Sequence, residues 1–217
     1  MDSDRNQKIK LQNKIEKTIS TNELEMVSAD LLEVVLDSHL DNEALEQIPL
    51  IKTIIGLGKG YLSIQDRIFT KKILTFLFQL KSRDVGEREE MINKVNESKK
   101  YRLRVGEKIM TIINASEDFE KAEIHGYIFN SFLEEKIDYT WFLECSFILN
   151  QVFLPDLYHI IKEDIKDHII QARGDLLILH TGIFTPYPYS NTMRYKLSYP
   201  GELIVEIVKN NGAHLIK

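Results

Sequence analysis

The apolar positions of this chain recur with a helical period for most of its length. Leu11, Ile15 and Ile19 stand at i, i+4 and i+8, a narrow stripe on the polar segment Asp4 to Ser20. That predicts a helical arm packing on the body or on a partner. Ser20-Thr-Asn-Glu23 has the form of a capping box, in which the serine oxygen accepts an amide and the glutamate reaches back. Leu24, Val27, Leu31, Val34 and Val35 then predict a helix running to about Leu40. Ile68, Phe69, Ile73, Phe76, Leu77 and Leu80 share one side of a helix from Ile64 to Lys81. Leu74 and Phe78 widen that face, which predicts a central position. Asp84 is placed to cap a helix ending near Ser98, and Tyr101 to Ala115 forms another. Ser116 is expected to cap a helix holding Phe119, Ile128 and Phe132, and Asp138 one holding Trp141, Phe142 and Ile148. No strand pattern precedes Val152.

The last third differs. Helices are expected at Pro155 to Ile165 and Lys166 to His180, followed by a stretch punctuated by Gly182, Pro186 and Pro188. Tyr195 and Leu197 then alternate with Arg194 and Lys196, as in a half-buried strand. Pro200 and Gly201 open a final helix with Leu203, Ile204 and Ile207. Helix, hairpin and helix in this order look like a winged-helix module. The expected fold is mainly α: a helical arm at 1–20, a helical bundle at 21–153, and a small α+β winged-helix-like module at 154–217.

Composition narrows the class. The 217 residues are 43% apolar and 28% charged, which excludes a wholly disordered chain, a collagen repeat or a disulfide scaffold. Cys145 stands alone, so no intramolecular disulfide forms and a reducing cytosol is expected. The N-terminal stretch has no apolar core of a signal peptide. Ile48 to Ile64 is too short, and too interrupted by Lys52 and Lys59, for a span of about 20 apolar residues. The expected location is cytoplasmic, with a peripheral position on the inner face of a membrane as a variant.

Charge is distributed unevenly. Residues 1–51 carry net −6, residues 52–108 net +7 and residues 109–217 net −6. Arg67, Lys71, Lys72, Lys99, Lys100, Arg102, Arg104 and Lys108 form the candidate surface for an anionic partner, whether lipid headgroup, nucleic acid or acidic protein. The alternative is that acidic ends neutralise a basic middle within one fold. In the module, Tyr187, Tyr189, Arg194 and Lys196 are the candidate wing residues. The preceding segment sets Asp167 and Asp175 against Lys166 and Arg173, where a DNA reader is usually clearly basic.

No catalytic, cofactor or metal site is read from the motifs. Gly56-Leu-Gly58-Lys-Gly60 lacks the G-x-x-x-x-G-K-[ST] of a phosphate loop and is read as helix packing or a bend. The six histidines include no H-E-x-x-H, and the pairs His159/Glu163 and Asp164/His168 are read as helix-surface pairs. Glu97-Ser-Lys99 lies at a helix end, away from any strand that would make it a nuclease motif. Cys145 sits on an apolar face beside Phe147, which predicts burial.

The segments Ile48-Pro-Leu-Ile-Lys-Thr-Ile-Ile-Gly-Leu-Gly-Lys-Gly, Asp66-Arg-Ile-Phe-Thr-Lys-Lys-Ile-Leu, Lys121-Ala-Glu-Ile-His-Gly-Tyr-Ile-Phe and Ile137-Asp-Tyr-Thr-Trp-Phe-Leu make the chain similar to a family of small bacterial helical proteins. The winged end resembles that of the abortive-infection alpha (Abi-alpha) proteins, which are linked to phage exclusion. The resemblance implies a non-enzymatic interaction protein, in phage defence or stress, acting through protein or peripheral membrane contacts. It brings no active-site residues. The alternatives are a winged-helix nucleic-acid-binding regulator and an enzyme whose site spacing does not reveal. No cofactor is expected. A protein partner is, and its identity and the oligomeric state are not legible.

Overall fold

A computed structural model describes residues 2–35, 47–57, 63–101, 103–168, 179–190 and 192–216. The chain is mainly helical, with ten α-helices and a small antiparallel sheet near the C-terminus among the described residues. Backbone contacts divide it into two units, residues 1–126 and 127–217. The boundary expected after residue 153 lies inside the second unit.

The first unit is built around its N-terminal helix. Helix α1, Asp2–Ile19, buries Leu11, Ile15 and Ile19, so the stripe faces the body. A 3-10 turn at Asn22–Met26 leads to α2, Ala29–Val34. Helices α3 (Pro49–Leu57), α4 (Ile64–Phe78), α5 (Val85–Asn96) and α6 (Val105–Ala115) follow. α1 packs on α3, α5 and α6, and is a core element of this unit. In α4, Ile73, Leu74, Phe76 and Leu77 are buried, as the wide apolar face predicts.

Two starts differ from expectation. The predicted capping box at Ser20 does not form. Thr21 accepts from the Glu23 amide instead. The Glu23 carboxylate is engaged by Lys14 at 2.7 Å and Lys17 at 3.4 Å and does not reach back. Burial opposes ionisation of Glu23, but these two lysines outweigh it and hold the carboxyl below its ordinary value. The segment closes as a 3-10 turn, and Ser28 caps a fresh helix by accepting from Leu31. The rest of the expected helix, 36–40, lies outside the described residues. The reciprocal box forms at Ser63, whose side chain accepts the Asp66 amide while Asp66 accepts the Ser63 amide. Ser116, expected to open a helix, ends α6. Asp118 accepts from the Lys121 amide at the start of α7, Phe119–Leu133.

The second unit begins within α7. Helix α8, Tyr139–Gln151, is capped by Asp138 as expected. Phe129 and Phe132 of α7 meet Tyr139 and Phe142 of α8 with centroids 5.0 to 5.5 Å apart and no stacked pair. Helix α9, Leu154–Lys162, precedes a short strand, β1, Asp167–His168. A helix was expected from Lys166. Instead Lys166 accepts from the Leu197 amide at 3.0 Å, and pairing to a distant strand replaces the helical bond there. Residues 169–178 of that expected helix lie outside the described residues. Strands β2, Phe184–Tyr189, and β3, Thr192–Leu197, form a hairpin, and the sheet order is β1-β3-β2. Helix α10, Tyr199–Asn211, packs on α8, with Ser198 capping it through the Gly201 amide.

The prolines in β2 follow the ladder. Ser198 donates to the Ile183 carbonyl, so alternation makes Thr185/Lys196 and Tyr187/Arg194 the hydrogen-bonded pairs. Pro186 opposite Tyr195 and Pro188 opposite Met193 are the intervening pairs. Their missing N–H groups fall on the outer edge of β2, where an added strand would find no donors for its carbonyls.

Candidate functional site

The basic stretch resolves into separate ties. Arg67 is buried and donates to the Val35 carbonyl at 3.3 Å. Lys72 donates to the Ser116 carbonyl, and Lys81 to the carbonyls of Glu25 and Val27. Arg104, ahead of α6, pairs with Glu16 of α1. Lys71 lies 4.8 Å over the Phe119 ring and Lys100 5.3 Å over Tyr101. Lys99 is exposed in the turn after α5, and Lys108 is half-buried on α6. Arg102 lies outside the described residues. Most of these cations hold backbone carbonyls or local partners, which is how an acid-rich chain uses a basic middle as internal glue.

Other buried charges were not legible. Glu16 accepts from Asn96 at 2.8 Å, from Arg104, and from the Gly106 amide at 3.2 Å. It thereby caps α6 from another helix. Arg88 is almost fully buried among carbonyls. Lys121 is buried with its ammonium 3.1 Å from Glu117. Each reads in sequence as a surface charge, because its partner is distant or its burial depends on packing. Gly56, in the predicted packing stretch, has no other element's atom among the described residues within 4 Å of where a Cβ would sit, so it mediates no close approach among them. Gly58 and Gly60 lie outside the described residues.

Among the described residues, those considered for catalysis do not converge. Cys145 is fully buried, and desolvation, reinforced by Glu144, pushes its thiol up to about 12. At neutral pH it stays protonated and shielded. Iodoacetamide at pH 8 is therefore expected to leave Cys145 of the native protein unmodified over hours and to label it rapidly in urea, which mass spectrometry reads. Rapid labelling without denaturant would contradict this burial. His159 and His180 are exposed, and Glu97 and Lys99 face solvent. Among the described residues no group of three or more His, Cys, Asp or Glu is placed to hold a metal ion. Nor is any described helix long and apolar enough to cross a membrane.

The candidate wing residues do come together on one sheet. Tyr187 on β2 and Arg194 on β3 are cross-strand partners. The Tyr187 hydroxyl donates to Asp167 on β1 at 2.5 Å, and Arg194 lies 3.9 Å from the same carboxylate. The bond to Asp167 is the main reason the Tyr187 pKa lies above its ordinary value. Lys196 is exposed opposite Asp167 in the register. Tyr189 is described by its backbone alone, opposite Thr192. Residues at alternate positions occupy the other face. Phe184 and Leu197 are buried at its base, while Pro186, Pro188 and Met193 are exposed toward the tip. Met193 is 53% exposed. The hairpin therefore has a polar face tied across three strands and an apolar face that emerges from the core. Over residues 154–217, seven Lys/Arg balance seven Asp/Glu, for a net charge of zero.

These features define a mainly helical protein with a small C-terminal sheet set in a segment, residues 154–217, of zero net charge. Comparison with family models, curated proteins and solved structures finds no match to this chain.

Proposed function

We propose that this chain is a non-enzymatic interaction protein whose C-terminal end is a winged-helix-like module used for protein contact. The observation that carries the reading is the strand order β1-β3-β2. A short first strand pairs with the last strand of a following hairpin, which is the connectivity a winged-helix sheet requires. The charge of the module favours protein over nucleic acid as the partner. Phosphate binding draws on uncompensated Lys and Arg, and here Asp167 neutralises Arg194 while the module as a whole is neutral. The exposed Pro188 and Met193 on one face of the hairpin, and the half-buried Tyr187 on the other, suit contact with a protein surface at the hairpin tip. The resemblance to Abi-alpha proteins supplies the setting, phage exclusion or a related stress response.

Phage plating tests the reading. Cells expressing the wild-type chain are expected to lower plating at least tenfold for some members of a diverse phage panel. A folded Tyr187→Ala, Met193→Ala double variant is expected to restore it. Unchanged plating across the panel would remove the defence setting. Binding to a random 30-bp duplex that falls steeply with salt, and is lost on Arg194→Glu with Lys196→Glu, would favour the nucleic-acid reading instead.

A further inference from the structure

We propose that a groove on the second unit, between the end of α9 and helix α10, docks a basic amphipathic segment of a partner protein. The proposal rests on the reading of this chain as an interaction protein and gives that reading a second contact site, separate from the wing tip. The groove encloses about 430 Å³. Its floor is apolar, made by Ile160 of α9, Leu197 of β3 and Val205 of α10, all buried, with Ile165 half-buried at the side. A floor of this kind, open to solvent, takes one or two branched apolar side chains and gains by removing them from water.

The rim selects the charge of the occupant. Asp164 stands where the chain leaves α9, with a positive φ of 48°, a conformation that aspartate tolerates better than most residues. Its carboxylate accepts from Lys209 of α10 at 2.6 Å and lies 3.4 Å from Lys166. These two lysines hold it below the ordinary carboxylate range, and both cations of the groove thus have an internal partner. The remaining rim charges are Glu202 and Glu206, one turn apart on α10. Neither has an ion-pair partner among the described residues. An apolar floor beside two uncompensated carboxylates matches a segment with leucine-type anchors and lysine or arginine four residues away. An acidic segment would meet repulsion from the same pair. The groove is wide enough for side chains, and the edge prolines of β2 lie outside it, so recognition here uses side-chain anchors rather than strand addition.

The test uses the full chain and three synthetic peptides of one length: a Leu/Lys amphipathic peptide, its Leu/Glu counterpart, and a Ser/Lys peptide without apolar anchors. Methyl NMR is expected to give saturable shifts at Leu197, Val205 and Ile160 with the Leu/Lys peptide alone. Glu202→Gln with Glu206→Gln should weaken that binding at least tenfold, and 0.5 M salt should weaken it several-fold. Both glutamates lie on the exposed side of α10, and an unchanged melting temperature verifies that the fold is kept. Equal binding of the Leu/Glu peptide, an unaffected double Gln variant, or shifts confined to other methyls would overturn the proposal. The wing reading would then still stand or fall on the Tyr187→Ala, Met193→Ala variant, because neither residue lines the groove.

Discussion

Gly106→Ala is expected to be among the most damaging single-methyl additions in this chain. A Cβ at Gly106 would fall inside 3.0 Å of the Gln12 carbonyl oxygen, and 3.1 Å from both the Gln12 carbonyl carbon and Glu16 Cβ. The first obstacle is helical backbone, which cannot swing aside as a long side chain does. Relief requires α1 to move off α6. That movement pulls the Glu16 carboxylate from the Gly106 amide, Asn96 and Arg104, which together close the start of α6. Alanine is the better helix former by up to about 1 kcal/mol, so propensity opposes the clash but is smaller than it. Overpacking against backbone, with loss of a buried cap, costs about 3 kcal/mol or more. Melting of the first unit should fall by on the order of 10 °C. Gly56→Ala is the internal control. Its site is open, so the same substitution should be neutral or stabilising by up to about 1 kcal/mol. Circular-dichroism melts of the two variants should therefore move in opposite directions. A Gly106→Ala melt within a degree of wild type would mean that the helix crossing is not as close as described.

The two glycines show what periodicity conveys and what it omits. Gly56 drew notice in sequence because it lies in a run of three glycines, yet among the described residues no other element packs against it. Gly106 sits in an unremarked helical segment, yet two helices cross on it. Helices with clean apolar stripes were legible, and Asp84, Asp138 and the opening of α10 around Pro200 behave as local rules predict. Those rules depend on residues a few positions apart. They failed where a distant group competed. Glu23 was taken by Lys14 and Lys17, which undid the capping box at Ser20. Lys166 was taken by Leu197, which began a strand where a helix was expected. The hairpin was legible from alternation of Tyr195 and Leu197 with Arg194 and Lys196. The groove was not, since its walls come from the end of α9, from β3 and from α10. The charge asymmetry was visible from the start, but its meaning was not. A sequence shows how many cations a segment has and does not show that Arg67, Lys72, Lys81 and Arg88 spend them on carbonyls.

Arg88→Ala is the second large effect expected. Arg88 is 1% exposed, and its guanidinium reaches three carbonyls. Nε donates to Ile19 at 2.7 Å, one Nη donates to Thr21 at 3.3 Å, and the other donates to Arg83. Ile19 ends α1, where helical carbonyls lack internal partners and the helix dipole presents its negative end. One planar fork thus closes α1, fixes the turn after it and holds the loop that enters α5. Burial lowers the pKa of this guanidinium, and Glu25 and Asp84 act in the opposite sense. An arginine starts so far above neutrality that it stays charged through this environment. Truncation would leave three carbonyls without a donor and a cavity in their place, at about 3–5 kcal/mol. The informative comparisons are Arg88→Met and Arg88→Lys. Methionine restores most of the volume and none of the donors. Lysine restores the charge as a single point that cannot span the three acceptors. If the fork is the stabilising feature, both variants should remain at least about 2 kcal/mol below wild type in urea unfolding at pH 7. A methionine variant as stable as wild type would show that Arg88 acts through packing alone. Full rescue by lysine would show that charge at the end of α1 suffices without the fork.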